Sequence, residues 1–192
     1  VIDFNAKSGI LFVSNLMYSK GIMNFLDSLN IVLANCNSEV CIAGKIIGDY
    51  LKTKKDTEDM FFKKLKKVNK VFNNRVKYLG VVEGVEKMKL LKKTSIFCLP
   101  TFYKTEAFPL SIIEAMALGN AIITTNHNYL PSIVSNKNGV IVPVSNVPKL
   151  AESLLSLIDN PNLSSIQKGN VDYARENYSF SKFKENIKRI LA

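Results

Sequence analysis

The chain has 192 residues, 47% of them hydrophobic, which is enough for one domain with a full core and too few for two large ones. Its formal net charge of +10 favours an anionic partner without choosing among a nucleotide, a nucleic acid and an anionic membrane surface. No window approaches the roughly 18 uninterrupted apolar residues of a spanning helix, and VIDFNAKSG lacks the basic start and apolar stretch of a signal peptide, so a cytoplasmic protein is expected.

Short apolar runs alternate with longer helical patterns, which predicts a parallel sheet covered by helices. ILFVSN is the first strand, and Ile22, Phe25, Leu26, Leu29 and Leu33 then mark one face of a helix. EVCIAG is the second strand, followed by a lysine-rich helix in which Met60, Phe61, Leu65 and Val68 recur at helical spacing. RVKYLGVV is the third, with a helix through VEKMKLLKK; SIFCLP, NAIITT and GVIVPV are the fourth, fifth and sixth. Val147, Leu150, Ala151, Leu154, Leu155 and Ile158 form an apolar stripe broken at Pro161, and Phe183, Ile187, Ile190 and Leu191 give a last amphipathic helix. The pattern predicts one doubly wound α/β domain: a six-stranded parallel sheet with helices on both faces and a C-terminal helical tail.

Cys36, Cys41 and Cys98 are odd in number, without metal-ligand spacing or neighbouring histidines, and read as buried free thiols. The lysine-rich segment at 52–70 reads as a solvated helix face, with peripheral docking on a membrane as its functional alternative; no nucleic acid is expected as a partner. In doubly wound sheets ligands bind beyond the carboxyl ends of strands, so candidate residues are those that follow strands directly. Lys20-Gly21, after the first strand, is either an ordinary turn or a point charge beside a flexible glycine that meets a phosphate. Neither a Gly-x-Gly-x-x-Gly nor a Walker loop is present, which disfavours a dehydrogenase or P-loop enzyme.

YKTEAFPLSIIEAMALGNAII follows the fourth strand. Pro109 suits a first helical turn, so a helix is predicted from Pro109 to Leu118, ending at Gly119. Free N–H groups of Phe108, Leu110 and Ser111 at its mouth would suit an anion. Glu114 shares a face with Ser111 and Leu110, where a carboxylate would repel phosphate but accept hydrogen bonds from a sugar diol; Glu106 sits in the loop before the helix. Taken alone, the residues leave three readings open. Glu106 favours the helix dipole while Glu114 is solvated; the two bind a polyhydroxylated ligand; or they form a hydrolytic carboxylate pair.

The chain resembles the C-terminal, donor-binding domain of the family four (group 1) glycosyltransferases of GT-B fold. The resemblance rests on GILFVSNLMYSKGI, VKYLGVV, SIFCLPTFYKTEAFPLSIIEAMALGNAIITT, LPSIVSNKNGVIVP and a tail with ENYS, in that order. Its most specific part is Glu-x7-Glu with Phe-Pro between and Glu-Ala-Met-Ala-x-Gly after. It implies a Rossmann-like domain that binds a nucleotide sugar, with a UDP-sugar as first expectation and a GDP-sugar as second. It also implies a metal-independent, retaining, hexosyltransferase-type transfer to a glycan or glycolipid, as in surface polysaccharide assembly.

By the resemblance, Glu106 and Lys20 are the catalytic pair, addressing the donor sugar and the diphosphate. Glu114 would hold the ribose, Leu79, Gly80 and Val81 the base mainly through backbone, and Asn15, Gly21 and the backbone N–H groups around Phe108, Pro109, Leu110 and Ser111 the rest of the donor. Neither metal nor cofactor is implied, and the substrate nucleotide is the expected ligand. Asn15 stands where many members have an arginine, which puts diphosphate affinity in question and makes Lys104 a candidate substitute. His127, the one histidine, reads as structural with ligand contact as its alternative, and Asn120, where proline is common, is expected to matter little. A family member has two such domains with the acceptor domain first. This chain is thus expected to be a C-terminal half, residues 1–192, that binds donor weakly, catalyses little alone and is cytoplasmic, with peripheral contact at the inner face of the plasma membrane as the alternative. The competing reading is a non-catalytic α/β module that docks on anionic membrane or nucleic acid through its lysines.

Overall fold

The computed structural model describes residues 2–191 of the chain. β1 (Ile10–Val13), β2 (Val40–Ala43), β3 (Val76–Tyr78), β4 (Ile96–Leu99), β5 (Ala121–Thr125) and β6 (Gly139–Val142) form one parallel sheet in the order β3-β2-β1-β4-β5-β6. β1, β4 and β5 are apolar at nearly every position and wholly buried, as expected of strands covered on both faces. The expected six-stranded doubly wound architecture is therefore present. β3 is shorter than RVKYLGVV suggested, because Leu79 and Gly80 leave the strand while still bonding to β2: Leu79 N–H donates to Ile42 O at 2.9 Å and Gly44 N–H to Gly80 O at 2.7 Å.

The helices are α1 (Ile22–Asn35), α2 (Lys54–Val71), α3 (Gly84–Lys93), α4 (Leu110–Ala117), α5 (Leu130–Ile133), α6 (Val147–Ile158), α7 (Leu163–Tyr178) and α8 (Phe180–Leu191). α1 buries Ile22, Phe25, Leu26, Leu29 and Leu33, each of which stabilises the fold by about 1.5–3 kcal/mol. α2 buries Phe61 and Val68 and packs Met60 and Leu65 against the core. Its N-cap Thr53 accepts from Asp56 N–H at 3.1 Å. Lys63, Lys66 and Lys67 face solvent, and Lys64 pairs with Asp27 of α1 at 2.5 Å.

One expectation is corrected. Cys98 alone is buried, where burial pushes its thiol pKa up, whereas Cys36 and Cys41 are half-buried. The short helix α5 was not foreseen. In α8 the apolar stripe is formed but uncovered, with Phe183 and Ile187 exposed; Ile190 and Leu191, the other two members of that stripe, have side chains outside the described residues.

Polar side chains fasten the amino-terminal edge of the sheet. Asn170 of α7 donates to Asn120 O at 2.7 Å and Asn138 O at 2.8 Å and accepts from the Asn138 amide at 2.9 Å. Gln167 donates to Ser95 O at 3.1 Å, and Asn120 to Thr94 O at 2.6 Å. Asn120 is fully buried in this network, so the expectation that it matters little is also corrected. Lys7 reaches the ends of two helices, donating to Leu91 O and Lys92 O at 2.9 Å and to Leu118 O at 3.0 Å. There it satisfies carbonyls that helix ends leave open and complements both dipoles. Burial pushes its pKa down to about 8, so the amine remains charged at neutral pH.

Replacing either anchor strands buried acceptors. Lys7→Met is expected to lower stability by about 3 kcal/mol, read as a lower urea midpoint at pH 7; an unchanged midpoint contradicts the capping role. Asn170→Ala is expected to cost about 2–4 kcal/mol, with hydrogen exchange accelerating at α7 and at the starts of β5 and β6 rather than at β1.

Candidate functional site

The strand order reverses direction between β1 and β4, and the loops that leave their carboxyl ends part there to open a crevice. The β1 loop ends in a 3-10 turn, Tyr18–Lys20, closed by Gly21 at φ +79°. A Cβ on Gly21 would lie 2.0 Å from Pro100 O, so only glycine lets this turn lie against the segment that leaves β4. Phe102 N–H donates to Ser19 O at 2.7 Å and stitches the two loops together. Asp49 holds the turn from below by accepting from Ser19 N–H at 2.7 Å. Burial works to raise the Asp49 pKa, but hydrogen bonds from Ser19, Leu51 and Lys52 outweigh it and keep the carboxyl below its ordinary value.

This seam brings Lys20 to Glu106. The ammonium lies 2.6 Å from Glu106 Oε2, with the side chains only 14% and 6% exposed. The same ammonium lies 4.9 Å from the Tyr103 ring centroid. Such a pair pays heavily for desolvation, so removing either member leaves a buried charge without compensation. The Glu106 loop is held from outside: Asn128, at φ +47°, donates to Lys104 O at 3.0 Å and Glu106 O at 3.1 Å. His127 Nε2 lies 2.9 Å from Tyr103 O and serves as an N–H donor to that carbonyl. His127 is thus a tether of the loop and does not line the crevice, in line with its structural reading.

α4 starts at Leu110, one residue later than predicted, with Pro109 as its N-cap residue. Its end is a Schellman motif: Asn120 N–H donates to Ala115 O and Gly119 N–H to Met116 O, both at 2.9 Å, with Gly119 at φ +72°. At its start, the N–H groups of Phe108, Leu110 and Ser111 donate to no protein acceptor among the described residues.

The crevice encloses about 390 Å³, within the range of small-ligand sites. Asn15, Lys20, Val81, Glu106, Pro109, Leu110 and Ser111 line it, so seven of the predicted site residues come together. Five do not line it. Gly21 shapes the turn from behind. The Phe108 ring is turned away against Tyr178, 5.6 Å between centroids. Leu79 lines a separate surface depression, and Gly80 serves the β2 pairing.

Glu114 lines the neighbouring depression with Met88, Leu91 and Ala117 and forms an ion pair with Lys87. Lys87 lines both depressions, so the two acids stand in adjoining depressions that share this lysine. Lys104 is exposed and outside the crevice. The further cations in its wall are Lys45 and Lys87, which sequence reasoning missed together with Glu83. Lys45 follows the carboxyl end of β2, and the strand-end rule would have found it; Lys87, inside a helix, carried no local signal.

A family model described as glycosyl transferases group 1 matches residues 4–173. An uncharacterized glycosyltransferase of Methanocaldococcus jannaschii is 30% identical over 144 residues, covering 74% of this chain and 33% of its own length. Among solved structures, Anabaena Alr3699/HepE in complex with UDP and glucose superposes with a TM-score of 0.79 at 18% identity, covering 98% of this chain and 49% of its own. The C-terminal domain of a glycosyl transferase group 1 family protein (LpcC) from Francisella tularensis gives a TM-score of 0.76 at 20% identity, covering 90% and 87%. The chain thus spans a third of that curated relative. It belongs to the group 1 glycosyl transferases and has the architecture of one half of a GT-B fold.

Proposed function

We propose that this chain is the donor-binding half of a retaining glycosyltransferase that moves a hexose from a nucleotide-diphosphate sugar, a UDP-sugar first and a GDP-sugar second, to a glycan or glycolipid. The observation that carries this reading is the Lys20–Glu106 pair. It sits at the switch point of the sheet, beside the open N–H groups that start α4. Cleavage of the bond between sugar and diphosphate develops negative charge on the leaving group. Fixed donors and a lysine aimed at that charge stabilise the transition state more than the ground state. Lys20 and the N–H groups of Leu110 and Ser111 fill this role, which elsewhere falls to a divalent cation, so the transfer is proposed to need no metal.

In this reading Glu106 addresses the donor sugar next to Lys20, Val81 lies against the base, and Glu114 takes the ribose diol. Lys45 adds a charge that Asn15 lacks. Each acid is held by a different lysine on a different wall, which suits two separate hydroxyl-bearing groups better than a carboxylate pair astride one glycosidic bond. The complex of a fold neighbour with UDP and glucose supports a uridine donor. A second, acceptor-binding domain is proposed to complete the enzyme, since the chain spans 33% of the M. jannaschii relative and its α8 leaves Phe180, Phe183 and Ile187 exposed. Without that domain, acceptor positioning is lost and transfer is expected to be negligible.

Thermal melting with UDP, GDP, ADP and uridine tests the reading. UDP is expected to raise the melting temperature, and Lys20→Ala to weaken UDP binding by about tenfold or more while leaving uridine binding unchanged. Glu114→Ala should weaken both. A chain that responds to none of the nucleotides, yet binds anionic vesicles or oligonucleotides in a salt-sensitive way that Lys63→Glu with Lys66→Glu abolishes, would be a docking module instead.

A further inference from the structure

Glu114 and Lys87 meet across two helices that are not neighbours in sequence. Lys87 lies in the first turns of α3, and its ammonium pairs with Oε2 of Glu114 on α4, the side chains being 24% and 45% exposed. Lys87 alone among the charged side chains lines both the main crevice, beside Val81 and Ser111, and the depression that holds Glu114. It therefore forms the partition between them. A glutamate this exposed has rotamers that carry its carboxylate into solvent, and nothing else among the described side chains bonds it. One ammonium contact occupies one of about four lone-pair positions of a carboxylate, so enough remain free for a vicinal diol.

We propose that Lys87 is a positioning residue: it fixes the Glu114 carboxylate in the depression that adjoins the crevice, so that recognition of the ribose hydroxyls depends on the ion pair. This rests on the reading of Glu114 as the ribose ligand. The pair also explains how an acid can stand next to an anion-binding crevice. Glu114 and Lys87 together present no net charge to the diphosphate, while the unpaired carboxylate oxygen still accepts hydrogen bonds. A lysine so placed costs the ligand little, because the pair is retained when the diol binds. Lys20 differs, since an incoming diphosphate competes with Glu106 for its ammonium.

The test is calorimetric titration of the wild-type chain, Lys87→Met and Lys87→Arg with UDP and with 2′,3′-dideoxy-UDP. Wild type is expected to bind UDP at least tenfold more tightly than the dideoxy analogue. Lys87→Met exposes the Glu114 charge to both diphosphates, so both ligands should weaken, but UDP by about five- to tenfold more than the analogue, so the discrimination collapses; Lys87→Arg should restore most of it. Discrimination undiminished in Lys87→Met overturns the inference alone. An equal loss for both ligands also overturns it, because the amine then acts on the phosphates or on the fold. A wild-type chain that binds both ligands equally overturns the Glu114 reading and the inference with it. Should Lys87→Met fold poorly by circular dichroism, Lys87→Gln provides the same neutral comparison with a side chain that remains hydrogen-bonding.

Discussion

The stitching of the β1 loop to the β4 loop is the constraint from which the site follows. β1 and β4 pair in register, Ile10 with Ile96 and Leu11 with Phe97, and their chains then diverge in opposite directions over the sheet. What keeps the two loops together past that point is a backbone bond, Phe102 N–H to Ser19 O, and a glycine that lets the Tyr18–Lys20 turn lie on Pro100. Lys20 and Glu106 are 86 positions apart and meet because of this contact. A side chain at position 21 would force the loops apart and separate the buried charges, and each would then bear its desolvation cost alone.

Beneath that seam the domain is braced by bonds that do not involve the site lining. α4, whose first turn carries the anion-facing N–H groups, is closed at its other end by a Schellman motif and by the Lys7 ammonium. The starts of β4, β5 and β6 are tied to α7 through Gln167, Asn170, Asn138 and Asn120. The Glu106 loop is held in shape by Asn128 and His127. Donors held in place before a ligand arrives cost no reorganisation when charge develops. The polar anchors at both edges of the sheet are therefore as much a part of the site as its lining.

Much of this was legible in the residues. Each strand of the sheet is an apolar run between helical patterns, because a strand covered on both faces has no solvent side to mark with polar residues. Glu106, Pro109, Leu110 and Ser111 were found because they follow a strand and open a helix, a local pattern that also sets where free N–H groups lie. Lys20 was found for the same reason after β1, and Asn15 through the family resemblance. Leu79 and Gly80 continue bonding to β2 past the end of β3, which no pattern in RVKYLGVV reveals. The N–H of Phe108 stays open at the mouth of α4, while its ring finds Tyr178, 70 residues later in the chain, a contact no local pattern reveals.

The amino-acid sequence by itself determined the alternation of strands and helices, the end of α4 at Gly119 and the set of groups after β1 and β4 that can meet an anion. These are consequences of periodicity and local backbone chemistry. Only the tertiary structure decided that Lys20 holds Glu106, that Lys87 holds Glu114, that Lys45 rather than Lys104 faces the crevice, and that Asn120 is buried in a network with Asn138 and Asn170. Each of those is a contact between segments far apart along the chain. Its geometry is set by the order in which strands pair and by the loops that cross their ends, which no local run of residues encodes.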